Sequence, residues 1–130
     1  MRTDAVVIYV EDQDRAVRFY ESVFGFEVVL DNPVDESGER WIEMGLPEDS
    51  VKLVLSSVNG AQHFKQSIGG WTNIIFSVEG DNFEEAVREM GEAGAEVIEG
   101  PQSLEWGEWA IVADPDGNLF GLSASKNEAD

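Results

Sequence analysis

The chain repeats itself. The segment VVIYVEDQDRAVRFYESVFGFEVV, from Val6, is answered by IIFSVEGDNFEEAVREMGEAGAEVIEG, from Ile74. Val10-Glu11 matches Val78-Glu79, Ala16-Val17-Arg18 matches Ala86-Val87-Arg88, and Glu27-Val28-Val29 matches Glu96-Val97-Ile98, at offsets between 68 and 70 residues. The match persists in Trp41 with Trp109 and Pro47 with Pro115, both at an offset of 68. Two copies of one module therefore fill nearly all of the 130 residues, and whatever the chain folds into must be one small unit built twice.

Each copy opens on a β-branched run, 5–10 or 73–78, that suits a strand. A helix follows. In the first copy Asp12 is placed to cap it, Ala16, Phe19, Tyr20 and Val23 recur at helical spacing, and Gly25 ends it. In the second, Asn82 and Glu85 have capping-box spacing, Phe83, Ala86, Val87 and Met90 form the apolar stripe, and Gly94 closes it. Three strands follow each helix, at 27–31, 41–45 and 51–56 and then at 96–99, 108–113 and 119–123. The reading is an α+β fold of two tandem βαβββ modules in a single domain over 1–130. Module 1 spans 5–56, a linker with the glycines of a boundary spans 57–71, and module 2 spans 72–124.

Composition removes several classes of function. Eight Lys plus Arg stand against 27 Asp plus Glu, a formal charge of −19, so nucleic acid and anionic membranes are repelled. The longest uncharged stretch, Gln66 to Val78, is too short and too polar to cross a bilayer, and a cytoplasmic protein is expected. With no cysteine there are no disulfides, thiolate metal sites or cysteine nucleophiles. The single histidine, His63, falls in the linker and reads as a solvated residue. The acidity suits a high-salt, halophilic cytoplasm or simple solubility, and it also favours a cationic ligand.

One residue stands out in IVADPDGNLFGLSAS: Gly121, in the middle of the last strand, where glycine packs nothing and loses the most entropy on ordering. It signals either a bulge or kink, or a space kept free of a side chain.

The pattern VEDQDRAVRFYESVFGFEVV, followed by a DPDGN turn before the final strand, resembles the vicinal oxygen chelate superfamily of glyoxalases, bleomycin-resistance proteins and extradiol dioxygenases. The resemblance runs from about Ala5 to Ser123. It implies a curved, cavity-enclosing mixed sheet with the helices outside, and often a homodimer. Metal enzymes of the family take ligands from the first and last strands of each module, which by motif and by the 68-residue offset correspond to Ala5, Leu53, Asn73 and Gly121. None is a histidine or a carboxylate, so no metal and no cofactor are expected, and Gly121 reads as an empty space in the cavity wall.

Strand alternation then sets the cavity side. Ala5, Val7 and Tyr9 share a face, as do Asn73, Ile75 and Ser77. The strand before the DPDGN turn sends Trp109 and Ile111 inward, and the repeat sends Trp41 and Glu43 with them. Leu53, Leu55 and Leu119 complete an apolar, aromatic lining. The expected ligand-binding residues are Tyr9, Trp41, Glu43, Asn73, Ser77, Trp109 and Ile111. The two tryptophans serve as a stacking clamp or simply fill a core or dimer interface. Glu43 is the candidate general base, with pairing to an arginine or solvent as the alternative. Three functions fit: a metal-independent protein that sequesters a hydrophobic or cationic small molecule, a glyoxalase- or lyase-type enzyme with a relocated site, and an accessory effector-binding module.

Overall fold

Each half of the chain builds the same unit, from Met1 to Gly69 and from Gly70 to Asp130. The computed structural model describes residues 1–57 and 68–125, and His63 lies outside them. The first unit runs β1 (Ala5–Val10), α1 (Gln13–Phe19) with a π-helical last turn (Tyr20–Phe24), β2 (Glu27–Pro33), β3 (Arg40–Gly45) and β4 (Lys52–Ser57). The second runs β5 (Gly70–Ser77), α2 (Phe83–Ala93), β6 (Glu96–Ser103), β7 (Gly107–Ala113) and β8 (Asn118–Ser125). The sheet orders are β1-β4-β3-β2 and β5-β8-β7-β6. In each, the first and last strands of the unit pair in parallel and the other neighbours are antiparallel.

Two boundaries differ from the sequence reading by more than two residues. β5 begins at Gly70, inside the stretch assigned to the linker, and β6 runs to Ser103 instead of stopping at Glu99. The extension of β6 stays paired with β7 by shifting register twice, between Val97 and Glu99 and between Glu99 and Gln102. Bulges of this kind let a Gly-Pro pair sit in an edge strand that lacks one donor.

The helices form where their caps begin. The Asp12 carboxylate accepts the Arg15 N–H at 3.0 Å, and the Asn82 side-chain oxygen accepts the Glu85 N–H at 3.0 Å. That hydrogen bond, helped by the charges of Arg15 and Arg18, holds the Asp12 carboxyl below the usual aspartate range. Gly25, at φ 80°, closes the first helix in the left-handed conformation. The expected stripe of α1 is buried: Ala16, Phe19, Tyr20 and Val23 are each at most 8 % exposed, and the Tyr20 ring meets Phe19 and Phe26 edge to face.

Under the helices lie Ile8, Val10, Ile42, Met44, Leu53 and Leu55 in the first sheet and Ala110, Val112, Phe120 and Leu122 in the second, all buried. Gln13, which no sequence pattern singles out, ties α1 to the first sheet. Its buried amide donates to the carbonyls of Arg40 at 2.6 Å and Leu55 at 2.9 Å and accepts the Arg40 N–H at 3.2 Å. The DPDGN turn is held by Asp114, whose carboxylate accepts the N–H groups of Asp116 and Asn118 and the Asn118 side-chain amide, each at 2.9 Å.

Candidate functional site

Side chains directly opposite across a strand pair share a face, so the register sorts the two sides of each sheet. In the first unit Val54 pairs with both Val7 and Glu43, which puts Val54 on the face of Tyr9, Trp41 and Glu43. Leu53 and Leu55 pair with Met44 and Ile42 and face the helix instead. In the second unit Gly121 pairs with both Ile75 and Ile111. The residue that answers Gly121 is therefore Val54, at an offset of 67, not Leu53 at 68.

The turn explains the slip. Eight residues, 45–52, separate the paired Met44 and Leu53, whereas seven, 113–119, separate the paired Val112 and Phe120. One extra residue in the first turn moves every later side chain to the opposite face. Leu53 and Leu55 thus leave the proposed lining, while Leu119, two residues before Gly121 on the same strand, stays on its face.

Gly121 does not leave a space. A Cβ placed there meets Trp109 Cη2 at 2.5 Å, Trp109 Cζ3 at 3.0 Å and Ile75 Cγ1 at 3.1 Å. The Trp109 indole lies across the glycine from the neighbouring strand, with Ile75 on the other side. The empty-wall reading is corrected: the missing side chain admits an aromatic ring. Alternation along one strand cannot reveal this, because the ring arrives diagonally from another.

Trp109 is held at its polar edge as well. Its indole N–H donates to Glu99 Oε2 at 3.2 Å, and the same oxygen accepts the Gln102 side-chain amide at 3.3 Å. Trp106, 55 % exposed, stands beside it with ring centroids 6.1 Å apart and planes at 66°. In the first unit Trp41, 42 % exposed, donates its indole N–H to Glu43 Oε2 at 2.8 Å. Glu43 thus meets an indole and no arginine, and it stays partly open to solvent. Among the described residues no Lys or Arg pairs with Glu43 or Glu99.

Sequence reasoning missed Glu99 because only the bulged β6–β7 register brings it to Trp109, and it missed Trp106 because that residue sits in the turn between the two strands. It also missed Trp71, 44 % exposed, which pairs with Leu119 and so lies on the Gly121 face. Its place in the assumed linker hid it.

Ile75 and Ser77 pair with Gly121 and Ser123 and share that face, but Asn73 follows a different rule. It sits in a register shift between Trp71 and Ile75, exposed, at φ 67°. Thr72 supports the bulge, donating to the Leu119 carbonyl at 2.8 Å and accepting the Ile74 N–H at 3.1 Å. Non-glycine residues enter this conformation at a cost, asparagine at less than most. Tyr9 is nearly buried, and burial pushes its hydroxyl above the usual tyrosine range. Trp41 and Trp109 belong to different units, and each is positioned within its own sheet.

The paired βαβββ units agree with what is known of similar chains. The model of the Glyoxalase/Bleomycin resistance protein/Dioxygenase superfamily matches residues 2–122. The chain belongs to that superfamily. Within it, the chain is 30 % identical to the uncharacterized protein YetH of Bacillus subtilis over 90 % of this chain and 92 % of that one. A superfamily member from Sphaerobacter thermophilus superposes with a TM-score of 0.84 at 27 % identity, covering 96 % of this chain and 98 % of that one. TnmS3 of Streptomyces sp. CB03234, described as an antibiotic binding protein, superposes with a TM-score of 0.76 at 27 % identity, covering 97 % of both.

Metal enzymes of the superfamily would need donors at the positions noted above. Ala5, Gly121 and either Leu53 or Val54 supply none, and Asn73 supplies one neutral amide, whereas a divalent ion takes several oxygen or nitrogen ligands. The indole against Gly121 also fills the volume in which a longer side chain would begin. These residues do not fit a divalent metal. Among the described residues no helix is long and apolar enough to cross a membrane.

Proposed function

We propose that this chain is a metal-independent small-molecule-binding protein of the glyoxalase/bleomycin-resistance type, which sequesters a hydrophobic or cationic ligand against its tryptophan-bearing sheet faces. The single observation that carries the reading is the seating of Trp109 on Gly121: the position assigned to a metal ligand instead supports an aromatic surface, the kind of wall that small-molecule sites use. The likeness to an antibiotic binding protein supports the same reading. Each unit's own face supplies contacts: Trp41 and Glu43, with Tyr9, in the first, and Trp109, Ile111 and Ser77, with Asn73, in the second. The protein acts in the cytoplasm.

Native mass spectrometry of the freshly purified protein tests this. The expected result is a bound small molecule that can be removed and added back to saturation without being consumed. Catalytic consumption of that molecule, under conditions where the protein is regenerated, would overturn sequestration in favour of a lyase- or isomerase-type enzyme.

A further inference from the structure

Trp106, Trp109 and Glu99 come together within the second unit alone, and the small-molecule reading does not use their combination. Trp106 sits in the turn between β6 and β7, closed by the Leu104 N–H to the Gly107 carbonyl at 2.7 Å and the Gly107 N–H to the Leu104 carbonyl at 3.3 Å. Trp109 is fixed below by Gly121 and at its edge by Glu99. Two indoles at 66° with centroids 6.1 Å apart make a corner. Both hydrogen bonds to Glu99 fall on Oε2, which leaves Oε1 without a partner among the described residues.

We propose that this corner binds the alkylated ammonium head group of a small molecule. The faces of two indoles attract a cation through their quadrupoles, most strongly one with a diffuse, weakly hydrated charge. Glu99 adds a full negative charge already aligned by the Trp109 N–H, so little ordering remains to be done on binding. An uncharged aromatic ligand has no use for that carboxylate, and a bare metal ion would need more oxygen donors than the corner has. Among the described residues the first unit shows no equivalent: the residue answering Trp106 at an offset of 68 is Gly38, so no second indole stands beside the Trp41–Glu43 pair there. The inference rests on the small-molecule-binding reading and narrows its ligand to one chemical class.

The test uses choline and its neutral carbon isostere 3,3-dimethyl-1-butanol, each titrated against the full chain while saturation-transfer NMR follows the methyl protons. Choline is expected to bind saturably, and the isostere at least about fivefold more weakly. Trp106→Ala and Glu99→Gln should each weaken choline about three- to tenfold, and Trp106→Phe should restore most of the loss. Glu84→Gln, the same change of charge on the exposed surface of α2, should have no effect. Absence of saturable choline binding, equal binding of the isostere, or wild-type binding by folded Trp106→Ala would each overturn the corner. If a co-purifying ligand still binds when choline does not, the corner is wrong and the wider reading stands.

Discussion

The Trp109 indole rests on the backbone of Gly121, close enough that a Cβ at 121 would lie 2.5 Å from Cη2 of the ring. Each residue explains the other: the glycine makes room, and the tryptophan fills it. Gly121→Ala should therefore destabilise the protein by about 1–3 kcal/mol through overpacking. In the Trp109→Ala background the same substitution should cost much less, because the clash is gone. A double-mutant cycle by chemical denaturation measures this coupling, and additive single effects would show that the two residues do not interlock.

The protein as purified should contain no stoichiometric zinc, nickel, iron or manganese after dialysis. Gly121→Glu should not create a metal site by itself, since the new side chain meets the indole before it meets a second donor. Elemental analysis of both proteins decides the matter, with about one equivalent of metal in either counting against the reading.

Gln13→Ala should cost about 1–3 kcal/mol, because the substitution strands the buried Leu55 carbonyl and the half-buried backbone groups of Arg40 that now have a partner. Denaturant midpoints compared with those of an exposed control such as Glu84→Ala give the answer.

The Asp12 cap makes a prediction about pH. Its carboxyl titrates below the usual aspartate value of about 3.9 because the ionised form accepts the Arg15 N–H. A lowered folded-state pKa adds stability that is fully present above the unfolded value and is lost as pH falls through the folded one. Asp12→Ala should thus lower the melting temperature at pH 7, and the gap from wild type should narrow below about pH 4. A gap that widens on acidification would contradict the assignment.

Salt and self-association follow from the surface. A charge of −19 repels itself, and screening reaches about 10 Å at 0.1 M salt, so the melting temperature should rise from low salt to molar potassium chloride. Both β2 and β6 are edge strands that expose apolar side chains, among them Val28, Val29, Leu30, Val97 and Ile98. Such edges invite pairing with a second copy, and sedimentation should find a homodimer at micromolar concentration, more firmly in high salt.

The repeat, the caps at Asp12 and Asn82, the apolar stripe of α1 and the order of strands were legible in the sequence, because each depends on neighbours a few residues away or on a copy of the same pattern. Local preference sets where helices and strands begin, and burial of a periodic stripe sets which side faces inward. What lies opposite what was not legible. One additional residue in the turn between β3 and β4 moved Leu53 and Leu55 under the helix and brought Val54 to the other face. Two register shifts in β6 carried Glu99 to Trp109, and a left-handed residue in β5 took Asn73 out of the ladder. Only the tertiary structure decided that Gly121 is a seat for an indole. The period of a strand fixes a side chain's face, but its contacts depend on cross-strand register, which turn length and bulges set one residue at a time.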